Sequence, residues 1–360
     1  MYITRLFVKG TGSKMVTIQE IASRLGIAVS TVSKGLNGAS DISENLRQLV
    51  LDTAVEMGYT TKKMRKAEHK KLALFIENME YDSDNQFGYE IILGFKQASI
   101  HDNLDIRVIP INPTLQTEIR YDTYMLKHGY TGAFFAGFAL HDEWLKQLQT
   151  TNIPTVLLDN YIKKNPNVGY IGTDNYEGID VAIDLLTKMG HKKIALLNGS
   201  EGSLVSEERM DAFLKSMAAH GLKPDPRMMA YGYYVAECAQ YHVPDFLAAG
   251  ATAILCGSDL IAYGVITECN LRGFHIPRDI SIIGFDDLPI SAHISPPLTT
   301  IRQDRIELGK SAYYTLQSLI KHVSISKTLL RAQLVERQSV SICNPQFSKF
   351  IPYSTASDTI

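Results

Sequence analysis

The sequence predicts an N-terminal three-helix head containing a helix-turn-helix, followed by an α/β body of doubly wound parallel sheets in two lobes. Three observations carry this expectation. Residues 17–58 hold three short amphipathic segments punctuated by capping residues and glycines. From Leu72 onward, short apolar runs alternate with helical stretches. The alternation lasts about 270 residues, more than one doubly wound unit needs, so the body divides into two lobes.

Thr17 and Glu20 stand at capping-box spacing, each able to satisfy a free amide of the other. Ile18, Ile21, Ala22 and Leu25 then make one apolar stripe, and Gly26 ends the first helix. A second helix is predicted from Val29 to about Leu36, with Val32 and Leu36 inward and Asn37-Gly38 breaking it. Ser43 caps a third helix, whose apolar face is Leu46, Leu49, Val50, Thr53, Ala54 and Met57. A lysine-rich stretch, 60–71, carries six bases and one acid and reads as a linker.

In the body, the predicted strands are 72–76, 106–109, 132–135, 155–158, 168–171, 194–197, 253–256 and 281–283. The predicted helices are 89–99, 176–189, 205–220, 259–272 and 305–320. Strand–helix alternation of this kind builds a mostly parallel sheet with helices on its faces. Ligands of such sheets bind at the carboxyl ends of the strands, which here means between the lobes.

The 360 residues carry 36 Lys and Arg against 38 Asp and Glu, a net charge of −2, so no global basic field marks a nucleic-acid binder. The distribution is uneven. Residues 15–71 hold nine basic and six acidic side chains, and Arg5, Lys9 and Lys14 precede them, leaving an acidic body. A basic head on an acidic body is the footprint of a modest DNA contact. Cys238, Cys256, Cys269 and Cys343 show no metal-type spacing and are expected to be reduced thiols. No metal or cofactor is expected. No apolar run reaches the roughly 18 residues of a membrane span. Residues 1–14 lack a signal-peptide core and are expected to form an unstructured extension, with Met15 as the natural start.

Gly26 to Asn37 (GIAVSTVSKGLN) carries the most function. Gly26 permits the tight turn between two steeply crossing helices. Val29, Ser30, Ser33 and Lys34 leave a small or basic face of the kind a major groove admits. On this segment alone, a small helical bundle without DNA function explains the pattern equally well.

From Thr17 to Tyr59 the chain resembles the DNA-binding domain of the LacI/GalR (lactose-repressor) family. The resemblance rests on TIQEIA at 17–22, on the dodecamer at 26–37, and on EMGY at 56–59. It continues through NYEG at 175–178, GHKKIA at 190–195, AILCGSD at 253–259, SIIGFDD at 281–287, PLTTIRQD at 297–304 and LVERQSV at 334–340, in the family's order. It implies a transcriptional regulator, a repressor in most such cases, acting in the cytoplasm. The body would be a periplasmic-binding-protein-like sensor of a small polar effector, a carbohydrate by expectation. The implied domains are a head at 15–59, a basic hinge at 60–71, an effector-binding and dimerisation body at 72–345, and a tail at 346–360. Lobe 1 would take about 72–170 and 303–324, and lobe 2 about 171–301 and 325–343, with crossings near 171, 302 and 325.

Residue by residue, the resemblance places Val29, Ser30 and Lys34 on base edges. Thr17, Thr31, Ser33 and Asn37 would hold phosphates, with helix packing an equal reading for Thr31 and Ser33. Lys62, Lys63 and Arg65 would add linker charge. The cleft candidates are Phe87, Asp159, Arg209, Tyr234, Asp259 and Asp286. Two aspartates and one arginine suit vicinal hydroxyls, and Phe87 or Tyr234 could stack on a sugar face. For Asp259, capping of the helix that it opens is as good a reading as ligand contact.

The sequence departs from the family pattern at two places. Ala28 stands where a serine usually caps the recognition helix, a loss of about 1 kcal/mol. Glu68 stands about where the hinge leucine wedges into the minor groove, and a glutamate is an implausible wedge. The tail has no leucine heptad, so a homodimer on a pseudo-palindromic operator is expected rather than a tetramer. The competing readings are a solute-binding protein or sensor without DNA function, and a doubly wound enzyme. The chain has no Walker lysine motif, no GxGxxG after a strand and no GxSxG, so no enzyme is expected.

Overall fold

Three capped helices make the head: α1 (Ile18–Leu25), α2 (Val29–Asn37) and α3 (Glu44–Glu56). Thr17 and Glu20 close the capping box, the Thr17 amide donating to Glu20 Oε2 at 2.7 Å. Gly26 ends α1 with φ +66°, a conformation that costs a side-chain-bearing residue energy and glycine almost nothing. Ile21, Val32, Val50 and Ala54 are fully excluded from solvent and form the head's core. This computed structural model describes residues 16–59 and 71–344. The expected extension at 1–14 with Met15, most of the basic linker with Lys62, Lys63 and Arg65, and the tail at 346–360 lie outside the described residues.

Lobe 1 begins with β1 (Lys71–Ile76), α4 (Phe87–Ala98), β2 (Asp105–Pro110), α5 (Pro113–Glu118), α6 (Tyr121–His128), β3 (Gly132–Ala136), α7 (Glu143–Gln147), β4 (Thr155–Leu158) and β5 (Val168–Thr173). Lobe 2 contains α8 (Asn175–Lys188), β6 (Ile194–Asn198), α9 (Leu204–Ala219), β7 (Met229–Tyr231), α10 (Ala239–Ala248), β8 (Ala253–Cys256), α11 (Asp259–Leu271), β9 (Ser281–Asp286) and β10 (Thr299–Arg302). The chain then returns to lobe 1 for α12 (Arg305–Ile320) and β11 (Lys327–Leu330), and ends in lobe 2 with β12 (Gln333–Val335).

The first sheet has the order β11-β5-β4-β3-β1-β2 and is parallel throughout. The second, β12-β10-β9-β8-β6-β7, is parallel except for its edge strand β12. The central strands are apolar on both faces because helices cover both. In β1, Leu72, Leu74 and Ile76 pack toward α4 and α12, while Ala73 and Phe75 join Tyr121, Met125 and Trp144 on the other side. α4 and α12 approach closely through two glycines. A Cβ at Gly94 would lie 2.1 Å from the Ile306 carbonyl oxygen, and one at Gly309 would lie 2.0 Å from that of Ile91.

Two of the expected crossings move. β5 extends through Thr173, so the first crossing falls at 174, three residues past the expected position near 171. β11 pairs with β5 in the first sheet, so the third falls near 331 rather than 325. The short run at 327–330 is only half apolar and is recognisable as a strand only once β5 is there to pair with it.

Lobe 1 also buries an acid that the sequence did not flag. Glu77 follows β1, is 3% exposed, and accepts a hydrogen bond from Gln116 Nε2. Burial and the nearby Asp142 carboxylate push its pKa up to about 7. The fold therefore favours the protonated form, and this contribution is present below the ordinary value of 4.5 and lost as pH rises through 7. Glu77→Gln is expected to raise the lobe-1 melting temperature by about 2–4 °C at pH 8 and to change it little at pH 4.5, in thermal scans followed by circular dichroism.

Candidate DNA-binding face and interlobe cleft

In the head, α1 and α3 hold α2 by one face and leave the other open. Val29 is 43% exposed, and Ser30, Lys34 and Asn37 are exposed with it, while Thr31 and Ser33 are half-buried. Ala28 occupies the N-cap of α2 and makes no side-chain cap bond, so the first amides of the helix remain available to an anion. Lys34 reaches back to Asp41 in an exposed ion pair. Exposed pairs of this kind are worth only about 0–1 kcal/mol, so the ammonium is exchangeable for a base edge or phosphate. The Thr17 hydroxyl is already engaged in the capping box, and the Asn37 amide donates to the Ser33 carbonyl at 2.8 Å.

Between the lobes, Arg209 is the centre of a buried polar cluster. It projects from α9, is 3% exposed, and donates through Nε to Asn175 Oδ1 (2.9 Å) and through Nη1 to the Gly257 carbonyl (2.6 Å). Its guanidinium lies 3.7 Å from the Phe285 ring centroid. Asp286 ends β9 with φ +120°, a strained conformation for a residue with a side chain. It accepts a hydrogen bond from Gln303 Nε2 at 2.7 Å. Burial lifts the Asp286 pKa to about 6, against the pull of Arg209, Gln303 and Arg305. Asp159 follows β4 in the opposing lobe. Burial lifts its pKa to about 7, again opposed by Arg209.

Asp159 accepts no hydrogen bond from the described residues, and the Tyr170 hydroxyl is buried without a partner. The two meet over Gly172, where a Cβ would lie 2.2 Å from Tyr170 Oη and 2.8 Å from Asp159 Oδ1. Burial holds the Tyr170 phenol well above its usual range, so it stays a neutral donor. Lys327 of lobe 1 lies 3.6 Å from Glu208 of lobe 2 and 4.9 Å from the Tyr161 and Tyr170 ring centroids. Arg305 of lobe 1 donates to the Asp286 carbonyl at 2.6 Å.

Of the six cleft residues expected from sequence, Arg209, Asp286 and Asp159 come together. Tyr234 stands on the lobe-2 side, its hydroxyl 2.9 Å from that of Ser206, one turn from Arg209. Phe87 packs against the lobe-1 core at the start of α4. Asp259 is a correction. It is fully buried and accepts from the Leu288 amide (2.7 Å), the Ser291 hydroxyl (2.6 Å) and the Thr300 hydroxyl (2.5 Å). Its oxygens are spent tying α11 to β10 and the loop after β9, and Ser258 caps the helix. Tyr170, Glu208, Gln303, Arg305 and Lys327 escaped sequence reasoning. Of these, Gln303 lay inside PLTTIRQD and Glu208 beside Arg209 in ERMDAF at 208–213, while the other three lay in no recognisable motif. Among the described residues no His, Cys, Asp and Glu cluster could hold a metal, and no helix is long and apolar enough to cross a membrane.

Comparison with known proteins gives one reading for both units. A profile described as bacterial regulatory proteins, lacI family, matches residues 17–62. A periplasmic binding protein-like domain matches residues 183–340. A probable HTH-type transcriptional repressor ExuR of Bacillus subtilis (strain 168) is 27% identical, covering 91% of this chain and 98% of its own length. The HTH-type transcriptional repressor CytR of Escherichia coli (strain K12) is 25% identical, covering 90% and 96%. Among solved structures, a transcriptional regulator CelR–cellobiose complex superposes with TM-score 0.66 at 21% identity, covering 90% of this chain and 99% of that one. The lac repressor dimer bound to operator and the anti-inducer ONPF gives 0.64 at 22%, covering 91% and 100%.

Asp259→Ala is expected to destabilise lobe 2 by about 3 kcal/mol, because it strands three buried donors. Asp159→Ala strands none and removes an acid whose charge burial disfavours, so it should not lower the melting temperature at neutral pH. Differential scanning calorimetry of the two variants separates a structural acid from one left open to the cleft.

Proposed function

We propose that this chain, with its lacI-family head at 17–62 and periplasmic binding protein-like domain at 183–340, represses transcription by binding operator DNA as a homodimer. A small polar effector held between the lobes controls that binding. The observation that carries the DNA-binding half is the open face of α2, with Val29, Ser30 and Lys34 outward while Val32 is fully buried. In this reading Lys34 donates to guanine N7 or O6, Ser30 bonds a base edge, and Val29 packs on a thymine methyl. Thr17, Thr31, Ser33 and Asn37 fix register through phosphates, with Lys62, Lys63 and Arg65 adding charge. Two-fold pairing of two heads requires a pseudo-palindromic operator with half-sites about one helical turn apart. Lobe 2 offers a surface for the second copy, with Tyr233, Val235, Tyr241, Leu260 and Tyr263 all exposed on and beside α10 and α11. Working on DNA places the protein in the cytoplasm.

The effector half rests on the unspent polar groups at the seam. Asp159 has free lone pairs, Tyr170 has a free hydroxyl, and Arg209 stacks on Phe285. Acceptors beside donors match vicinal hydroxyls, and a carbohydrate is the effector that these groups suit best. CelR is solved with cellobiose, a sugar. Contact with both Asp159 and Arg209 biases the closed arrangement of the lobes, which is what couples the cleft to the heads.

A gel shift with the DNA upstream of the chain's own gene tests the first half. A sequence-selective shift that weakens steeply with salt is expected, and its absence would sink the DNA-binding reading. Asp41→Asn frees Lys34 and should tighten that shift about two- to fivefold. A thermal-shift screen of neutral sugars tests the second half. Arg209→Ala should remove every hit. With the raised Asp159 and Asp286 values, hits should strengthen between pH 5 and 8 as both acids ionise and accept ligand hydroxyls, so affinity that falls with rising pH refutes the assignment.

A further inference from the structure

The head does not rest on its linker alone. α3 lies against α6 of lobe 1, and two polar contacts join them. Thr123 Oγ1 donates to Asp52 Oδ1 at 2.7 Å, an oxygen that Gln48 of α3 itself also engages at 3.1 Å. Lys127 Nζ donates to Glu44 Oε1 at 2.7 Å. Between these polar contacts Leu126, 6% exposed, enters the head's own core with Val50, Leu51, Ala54 and Tyr59.

α6 is therefore apolar in two directions. Tyr121 and Met125 are fully buried in lobe 1, and the Tyr121 hydroxyl meets that of Thr155 on β4 at 2.7 Å. Leu126 serves the head instead. A helix that lies on a sheet and faces solvent would carry polar groups at that position. The docked head keeps its DNA face clear, since Val29, Ser30 and Lys34 remain exposed while α3 is occupied.

We propose that the outer face of α6 (Thr123, Leu126 and Lys127) is the docking surface for the head. It holds the head on lobe 1 in the orientation that reads DNA. This inference rests on the repressor reading above and names how its head is held. A docked head has fewer orientations to lose when it binds operator, so undocking weakens operator affinity with no change at the DNA face. It also makes the head move with lobe 1, independently of any ordering in a linker that carries Glu68 where a wedge residue would stand.

The test uses the full-length protein, with hydrogen exchange followed by mass spectrometry and operator gel shifts read in parallel. Lys127→Glu sets like charges face to face. It should speed exchange in α3 at least about fivefold and weaken operator binding by about three- to tenfold. Glu44→Lys combined with Lys127→Glu restores the pair with reversed sign, and should recover most of both losses. Leu126→Gln should act like Lys127→Glu while leaving exchange in β1, β3 and β4 unchanged. If Lys127→Glu moves neither reading, or if the reversed pair recovers nothing, the docking surface is refuted. The exchange measurement needs no DNA, so failure of the operator-binding reading is distinguishable from failure of docking.

Discussion

A buried guanidinium organises the interlobe seam. A charge as deeply buried as that of Arg209 is tolerated only when paired and hydrogen-bonded, and its partners come from separated parts of the chain. Asn175 lies just past the first crossing, Gly257 at the end of β8, and Phe285 in β9. Fixing those three positions fixes the cleft wall in lobe 2. The excess positive charge then draws Asp159 from lobe 1 and Asp286 from lobe 2. Burial pushes both acids toward neutrality while Arg209 holds them back, so their pKa values settle at about 7 and about 6.

The same economy separates Asp259 from Asp159. Both are carboxylates at the ends of strands or helices, and both are desolvated. Asp259 has three donors within 2.7 Å, so its oxygens are occupied whether or not a ligand is present. Asp159 has none among the described residues. The number of protein donors on a desolvated carboxylate, more than its burial, separates an acid committed to the fold from one whose oxygens are left open.

The head shows how weak local terms and tertiary contacts share one task. α1 and α3 are capped by Thr17 and Ser43, whereas α2 begins at Ala28 with no side-chain bond. Its stability comes instead from Val32 in the core, because packing of an amphipathic face outweighs any one cap. Beyond the head, Leu126 extends that core into lobe 1, so the smallest unit of the protein is finished by a residue from another one.

The sequence by itself determined the architecture, because hydrophobic periodicity and capping are local and are written within a few residues of each other. The three head helices, eight of the eleven parallel strands and the outward face of α2 were readable from spacing alone, whereas β7, β10 and β11 were not. The family resemblance also marked Arg209, Asp286 and Asp159 as cleft candidates. Tertiary structure decided what local pattern does not encode. β11 became a strand because β5 was beside it, which moved the third crossing to 331. Asp259 became structural because Ser291 and Thr300 arrive from 32 and 41 residues away. Tyr170, Glu208 and Lys327 joined the seam because two lobes meet there, and α6 joined the head through side chains 71 and 83 residues distant from their partners. Hydrogen bonding and charge pairing act over ångströms in space without regard to separation in sequence, so these assignments existed only once the chain had folded.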